Sequence, residues 1–201
     1  MNKDKVVVYI HGKGGNAQEA EHFRGVFDCD VVALDYLSTT PWQAKEEFPK
    51  LWDKVTFGYK TVEVVANSIG AYFAMNALSD KQISQAYFIS PVVDMEKLIC
   101  DMMRWSNVTE DELRAQKEIA TTFGETLSWQ YLCYVRENPV VWQIPTHVLY
   151  GEHDNLTSQK TVADFADKIH ATLTVMSGGE HWFHTESQIE FLDNWLKRYA
   201  Q

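Results

Sequence analysis

The chain has 201 residues, of which 45% are hydrophobic and 13% aromatic, and its formal net charge is −10. This length suits one globular domain whose core needs neither a disulfide nor a metal. The acidic balance argues against nucleic acid as a partner, and no run of about 18 apolar residues predicts a membrane span.

The three cysteines are Cys29, Cys100 and Cys133, and their spacing matches neither a C-x-x-C pair nor a zinc site. An odd number without such a pattern is typical of free thiols in a reducing compartment. The apolar run before His11 is too short for a secretory signal peptide. We therefore expect a cytoplasmic protein that needs no metal and no organic cofactor.

Strand-like and helix-like segments alternate along the chain. Runs rich in β-branched and aromatic residues predict strands at 5–10, 30–36, 61–67, 85–90, 146–151 and 172–177. The segments between them predict helices at 16–27, 42–54, 69–80, 159–169 and 187–199. This alternation predicts an α/β fold: a mostly parallel sheet of about six strands, covered by helices on both faces.

The loop after the first strand, HGKGGNA, fits two motifs. Gly12, Gly14 and Ala17 have the spacing of a dinucleotide-binding turn, and Asp35 follows Gly12 by 23 residues, close to where a ribose-binding acid belongs. The glycines with the preceding His11 also match a loop that supplies backbone donors to an oxyanion. The loop alone does not distinguish these interpretations, because a single glycine-rich loop is a weak signal.

The stretch VEVVANSIGAYF joins a predicted strand directly to a predicted helix at Ser68. A turn this sharp exposes the hydroxyl and requires small residues on both sides, here Ala66 and Gly70. The start of the helix directs backbone N–H groups at the turn, and its dipole favours negative charge there. These features predict a nucleophile elbow in which Ser68 is the nucleophile.

About fifty residues, 94–143, separate the fourth predicted strand from the fifth and contain no convincing strand. Apolar periodicity predicts a helix from Met95, a capping-box pattern predicts a second after Thr109, and Leu127 begins the spacing of a third. The insertion connects strand ends, and parallel sheets bind ligands at the carboxyl ends of their strands. We therefore expect a small helical cap.

Two later loops carry the partners that an activated serine needs. Asp154 follows the fifth predicted strand, and His181 follows the last one after a Gly178-Gly179 pair. The chain order Ser68, Asp154, His181 is the order expected of a hydrolase elbow. Because all three follow strands of a parallel sheet, we expect them at one edge of it.

Other residues compete for two of these positions. Asp94, after the fourth predicted strand, is an alternative acid, whereas Glu152 is still leaving its strand. His184 is an alternative base, although His181 stands nearer the strand end. His11 is expected to support the structure of its loop through ring hydrogen bonds rather than to take part in chemistry.

Together these loops resemble those of a small serine hydrolase of the α/β-hydrolase superfamily, and the resemblance covers nearly the whole chain. It implies that Ser68 attacks an acyl carbon, that His181 accepts its proton and later activates water, and that Asp154 orients His181. It also implies that the backbone N–H groups of Lys13 and Ile69 hold the oxyanion. The elbow reads A-N-S-I-G instead of G-x-S-x-G, and alanine still fits that crowded position.

The resemblance implies cleavage of a carboxylic ester or thioester through an acyl-enzyme intermediate. Four tryptophans are candidates to line an apolar substrate pocket, although aromatic residues at helical spacing also serve packing: Trp42, Trp105, Trp129 and Trp142. Two alternatives remain open. One is a non-catalytic protein that binds a small molecule on the same fold, and the other is an enzyme that binds a dinucleotide at residues 12–17.

Overall fold

The computed structural model of the protein describes residues 2–200. The chain folds into two compact units. The main unit comprises the residues up to Val93 together with those from Val141 onward, and the inserted unit comprises Asp94–Val140.

Eight strands and eight α-helices form the described chain, with a short 3-10 turn at Ala17–Glu19. In chain order the elements are β1 (Asn2–Ile10), α1 (Ala20–Phe23), β2 (Cys29–Ala33), α2 (Pro41–Val55), β3 (Thr61–Asn67), α3 (Ile69–Ala77), β4 (Gln85–Ile89), α4 (Met95–Trp105), α5 (Glu110–Gln116), β5 (Glu118–Ala120), β6 (Thr126–Ser128), α6 (Trp129–Glu137), β7 (Thr146–Gly151), α7 (Gln159–Ile169), β8 (Thr172–Met176) and α8 (Glu186–Tyr199).

The main unit is built on a six-stranded sheet in the order β2-β1-β3-β4-β7-β8. Every neighbouring pair in this sheet runs parallel. The carboxyl ends of all six strands therefore lie along one edge, and the loop after β1 emerges beside the loop after β3. The predicted fold class is confirmed.

Alternating side chains of the strands pack against helices on both faces of this sheet, because successive residues of a strand point in opposite directions. On one face, Tyr9 of β1 and Tyr87 of β4 share an apolar cluster with Trp195 of α8. On the other face, Phe48 of α2 packs edge-on against Phe73 of α3, with ring centroids 6.1 Å apart. All three cysteines are free.

The first predicted helix, 16–27, is wrong in length. A capping box formed by Asn16 and Glu19 starts a 3-10 turn, and α1 ends after four residues at Phe23. Gly25 follows two residues after Phe23, and glycine is costly in a helix interior. Phe23 and Phe27 nevertheless remain buried in the core cluster.

The inserted unit contains three helices and one antiparallel hairpin formed by β5 and β6. Arg136 of α6 forms ion pairs with Glu96 of α4 at 2.7 Å and with Glu110 of α5 at 2.9 Å. These contacts connect all three helices. The segment was predicted to contain no strand, and this prediction is wrong because it contains β5 and β6. Leu127, which was predicted to begin a helix, belongs to β6.

The hairpin depends on its turn. Gly124 adopts a φ of 88°, which an L-residue with a side chain rarely adopts. The Thr121 N–H donates to the Glu125 carbonyl at 2.7 Å and closes the turn. Strands of three residues carry too little alternation to be recognised in the sequence.

We expect Gly70→Ala to destabilise the protein, because α3 starts against the main chain of the loop after β1. A Cβ at Gly70 would lie 2.3 Å from the carbonyl oxygen of His11 and 2.9 Å from that of Ile10. Backbone atoms cannot move aside cheaply, so the free energy of unfolding should fall by about 1–3 kcal/mol.

Urea denaturation measures this loss. Gly25→Ala is the matched control, since its nearest neighbour would be 3.9 Å away, and it should leave stability unchanged or slightly higher. Equal losses in the two variants would contradict the steric explanation.

Candidate active site

Ser68 alone separates β3 from α3. Its φ of 53° and ψ of −120° lie outside the regions that residues with side chains favour, at a cost of about 1–3 kcal/mol. Hydrogen bonds hold the turn from both sides: the Ser68 N–H donates to the Ile89 carbonyl at 2.9 Å, and the Ser68 carbonyl accepts from the N–H of Val92 at 3.1 Å. The strained turn fixes the hydroxyl at the carboxyl end of β3.

Three side chains form a continuous chain of hydrogen bonds. Ser68 Oγ lies 2.9 Å from His181 Nε2, and His181 Nδ1 lies 2.7 Å from Asp154 Oδ2. A carboxylate only accepts, so the proton belongs on Nδ1 and Nε2 accepts from the serine hydroxyl. This is the arrangement in which a histidine can remove the proton of a serine.

The Asp154 carboxylate is held from its other side as well. Its side chain is fully buried, whereas 20% of the His181 side chain is exposed. Oδ1 accepts from the N–H groups of Leu156 at 2.8 Å and Thr157 at 3.0 Å. Those main-chain donors occupy one oxygen and leave Oδ2 directed at the imidazole.

The loops that carry Asp154 and His181 pack directly on each other. A Cβ at Gly151 would lie 2.5 Å from the carbonyl oxygen of Glu180, so only glycine fits at the end of β7. The His153 N–H also donates to the Gly179 carbonyl at 2.7 Å. Because β7 and β8 are paired neighbours, the acid and the base are brought together by main-chain contacts.

Glu152 joins the same two loops through its side chain. Oε2 accepts from the Ser177 hydroxyl and from the Gly178 N–H, each at 2.8 Å. The Gly178 amide and the Ser177 hydroxyl stabilise the charged form and lower the pKa of Glu152. Glu152 therefore supports the histidine loop, while the acid next to His181 is Asp154.

The loop after β1 lies against the elbow. A Cβ at Gly12 would be 3.2 Å from the Cβ of Ser68. The Gly12 carbonyl accepts from His11 Nδ1 at 2.8 Å and from the Gly15 N–H at 3.2 Å. In a trans peptide the C=O and N–H groups point in opposite directions, so these bonds also fix the direction of the Lys13 N–H.

Ile69 is the first residue of α3. The amide at this position of a helix has no partner within the helix. The Ile69 N–H therefore follows the serine at the positive end of the helix dipole, where negative charge is favoured.

The competing residues have other roles. Asp94 caps α4, and its Oδ1 accepts from the Lys97 N–H at 2.9 Å. His184 Nδ1 donates to the Trp182 carbonyl at 2.7 Å. The imidazole that bonds to both Ser68 and a carboxylate is that of His181.

The four tryptophans occupy different environments. Trp142 is only 4% exposed, and its Nε1 donates to Thr146 Oγ1 at 2.9 Å, so it is a packing residue of the main unit. Trp105 is 54% exposed at the end of α4. Trp129 lies 4.9 Å beneath a guanidinium group, and Trp42 is half-buried near the start of α2.

Sequence reasoning missed an exposed aromatic residue beside the histidine. Trp182 follows His181 directly and is 70% exposed. Its ring stacks on that of His184 at 4.6 Å with an interplanar angle of 21°. The signal in the sequence is that Trp182 directly follows the candidate base. It stands at a position with no helical periodicity.

The dinucleotide interpretation of residues 12–17 lacks its usual helix. A pyrophosphate would bind at the start of a long helix, whereas α1 has four residues. Within residues 2–200, no group of three or more His, Cys, Asp or Glu side chains is placed to hold a metal ion. In this part of the chain there is also no helix with the length and apolar character needed to cross a membrane.

Comparison with protein-family models finds no match, and comparison with curated protein sequences finds none either. Solved structures do match. Est1E from Butyrivibrio proteoclasticus has a TM-score of 0.75 at 14% identity, covering 98% of this chain and 87% of that one. Alpha/beta hydrolase domain-containing protein 10 from mouse has a TM-score of 0.76 at 14% identity, covering 96% and 88%.

A third match is the Pyrococcus furiosus esterase Pf2001, with a TM-score of 0.63 at 21% identity, covering 98% of this chain and 81% of that one. Identities this low establish the architecture and nothing finer. The chain has the α/β-hydrolase fold.

The contribution of Glu152 to stability should depend on pH. Because its pKa is lowered in the folded protein, the stabilisation is complete above the pKa of the unfolded chain and is lost as pH falls through the folded pKa. The stability difference between wild type and Glu152→Ala should therefore shrink between about pH 7 and about pH 3.

Urea denaturation across this pH range measures the difference. The control is Glu118→Ala, which removes an exposed carboxylate in the inserted unit. A difference for Glu152→Ala that stays constant over the whole range would contradict the assigned hydrogen bonds.

Proposed function

We propose that the protein is a serine hydrolase that cleaves a carboxylic ester or thioester of a small, largely apolar substrate through an acyl-enzyme intermediate. The observation that carries the proposal is the continuous chain of hydrogen bonds from Ser68 through His181 to Asp154. A serine hydroxyl on a strained turn, bonded to an oriented imidazole, is activated for nucleophilic attack.

In the acylation step, Ser68 Oγ attacks the carbonyl carbon while its proton moves to His181 Nε2. The carbonyl oxygen becomes an oxyanion, and the N–H groups of Lys13 and Ile69 stabilise it, at about 3–4 kcal/mol for each donor. When the tetrahedral intermediate collapses, the bond to the alcohol or thiol breaks. The leaving group takes the proton from His181, and the acyl group stays on Ser68.

In the deacylation step, His181 removes a proton from water and the resulting hydroxide attacks the acyl carbon. Collapse releases the carboxylic acid, and the proton returns from His181 to Ser68 Oγ. Asp154 stabilises the imidazolium in both steps and remains ionised. Every proton passes through Nε2, so no metal or organic cofactor is part of the proposal.

Two observations support an ester of apolar character. Several structural neighbours are named as esterases, and Est1E has been solved with ferulic acid bound. In this chain, Trp182 presents a largely exposed aromatic ring one residue from the candidate base. An exposed aromatic ring suits contact with an apolar acyl or alcohol group.

The proposal also includes a capping role for the inserted unit, because the chain leaves the sheet at the carboxyl end of β4 to form it. The three free cysteines support a reducing, cytoplasmic location. The expected partner is the small-molecule substrate, and neither nucleic acid nor a membrane is part of the proposal.

Ser68→Ala should abolish hydrolysis of p-nitrophenyl esters, lowering kcat by about 10³-fold or more. The reason is that alanine leaves His181 without a nucleophile to activate. Release of p-nitrophenol is measured for esters of increasing acyl length, and the optimum length gives the size of the acyl pocket.

Ser84→Ala is the control, since that serine lies before β4, at the amino end of the sheet. It should retain wild-type rates and label with a fluorophosphonate probe, whereas Ser68→Ala should not label. Wild-type rates in Ser68→Ala would overturn the mechanism. A folded wild type with neither hydrolysis nor labelling would favour the non-catalytic binding role.

His181→Ala should be as severe as Ser68→Ala, because residues that act as one unit lose activity together. His184→Ala should change kcat far less, since the His184 ring bonds to a backbone carbonyl and not to Ser68. Initial rates of ester hydrolysis compare the two variants. A severe loss in His184→Ala alone would contradict the assignment of His181 as the base.

A further inference from the structure

Tyr36 contacts the loop after β1 in two ways. It stands three residues beyond the end of β2 and is only 6% exposed. Its hydroxyl donates to the His11 carbonyl at 2.8 Å. Its ring stacks on the His11 imidazole, with centroids 4.2 Å apart and planes 8° from parallel. His11 is therefore held at its main chain and at its side chain by the same residue.

The His11 ring passes this restraint to the next peptide group. Its Nδ1 donates to the Gly12 carbonyl at 2.8 Å, and that carbonyl shares a planar peptide with the Lys13 N–H. A rotation of the His11 ring would turn the Gly12 carbonyl and, with it, the Lys13 N–H. The orientation of the Lys13 amide thus depends on the contact between Tyr36 and His11.

Tyr36 also packs against the elements behind the elbow. Its ring lies 4.8 Å from that of Phe48 on α2 and 6.3 Å from that of Phe73 on α3. The helix that carries Phe73 begins at Ile69, the second candidate oxyanion donor. One buried ring therefore contacts the loop of the first donor and the helix of the second.

The surroundings of Tyr36 favour the protonated form of its hydroxyl, which is the form that donates. Burial raises the pKa of Tyr36, and the nearby carboxylates of Glu19 and Glu47 raise it further. A neutral phenol keeps its proton on its own oxygen and so donates the hydrogen bond to the His11 carbonyl.

We propose that Tyr36 is a positioning residue for the oxyanion hole, because it fixes His11 and through it the direction of the Lys13 N–H relative to the start of α3. The proposal rests on the proposed serine-hydrolase function. It adds to that function one residue besides Ser68, His181 and Asp154. Tyr36 does not touch the reacting atoms, and its effect is confined to how well the transition state is stabilised.

The test is Tyr36→Phe, which removes the hydroxyl and keeps the stacked ring. With p-nitrophenyl butyrate, kcat should fall by about threefold to tenfold while KM changes by less than about twofold, as expected when one neutral hydrogen bond that orients a donor is lost. Phenylboronic acid forms a tetrahedral adduct with an active-site serine and mimics the oxyanion. Its Ki should rise by the same factor as kcat falls.

Tyr87→Phe is the matched control. Tyr87 is also buried, and its hydroxyl lies 3.1 Å from the Tyr199 carbonyl of α8 and 3.3 Å from the Glu63 carboxylate of β3, away from the loop after β1. This variant also loses a buried tyrosine hydroxyl and should lose at least as much thermal stability, but kcat and Ki should stay within about twofold of wild type.

The outcomes separate the two proposals. An active wild type with unchanged kcat and Ki in Tyr36→Phe overturns the role of Tyr36 alone, and so does an equal loss in Tyr36→Phe and Tyr87→Phe. A rise in KM at constant kcat also overturns it. A wild type with no hydrolysis and no fluorophosphonate label on Ser68 overturns the proposed function, and the role of Tyr36 with it.

A second measurement needs no variant and covers the case in which Tyr36→Phe fails to fold. The wild-type protein, labelled with ¹³C in its tyrosine rings, is titrated with phenylboronic acid and observed by NMR. The Tyr36 signals should shift as the oxyanion hole is filled, and the Tyr87 signals should not. An unmoved Tyr36 signal at saturating boronate would overturn the proposal.

Discussion

The close approach between the start of α3 and the loop after β1 governs the arrangement of the site. Gly70 leaves no space for a Cβ above the His11 carbonyl, and Gly12 lies against the side of Ser68. Two bare backbone segments can therefore lie side by side at the carboxyl ends of β1 and β3. Because both segments carry N–H groups, the close approach that packs the helix on the sheet also places the two candidate oxyanion donors, Lys13 and Ile69, on neighbouring segments.

The fold was largely predictable because its strands are continuous β-branched runs and its helices alternate with them. The elbow was predictable because a strand joins a helix without a linker, and the small residues Ala66 and Gly70 stand two positions before and after Ser68. The choice between Asp94 and Asp154 was not settled by the sequence, since both follow strands. It depends on the order of strands in the sheet, which places β7 next to β8 and so Asp154 next to His181.

Other features depend on contacts that leave no periodic pattern. Tyr36 is one of nine tyrosines in the chain, and nothing in its spacing shows that it stacks on a histidine 25 residues earlier. Trp142 was a candidate to line the substrate pocket, yet its indole N–H is paired in the core. In both cases the hydrogen-bond partner of one polar atom distinguishes the residue from others of its type.

The inserted unit lies, along the chain, between two pairs of candidate site residues. Lys13 and Ser68 precede it, whereas Asp154 and His181 follow it. Cleavage of the chain within Asp94–Val140 would leave the candidate nucleophile and candidate oxyanion donors on one polypeptide and the candidate acid and base on another. Each piece would carry neighbouring strands of the sheet, β4 at the edge of one and β7 at the edge of the other. The two pieces would have a parallel edge to pair along, and the hydrogen bond between Ser68 and His181 would form only when they join, which suits the protein for fragment complementation.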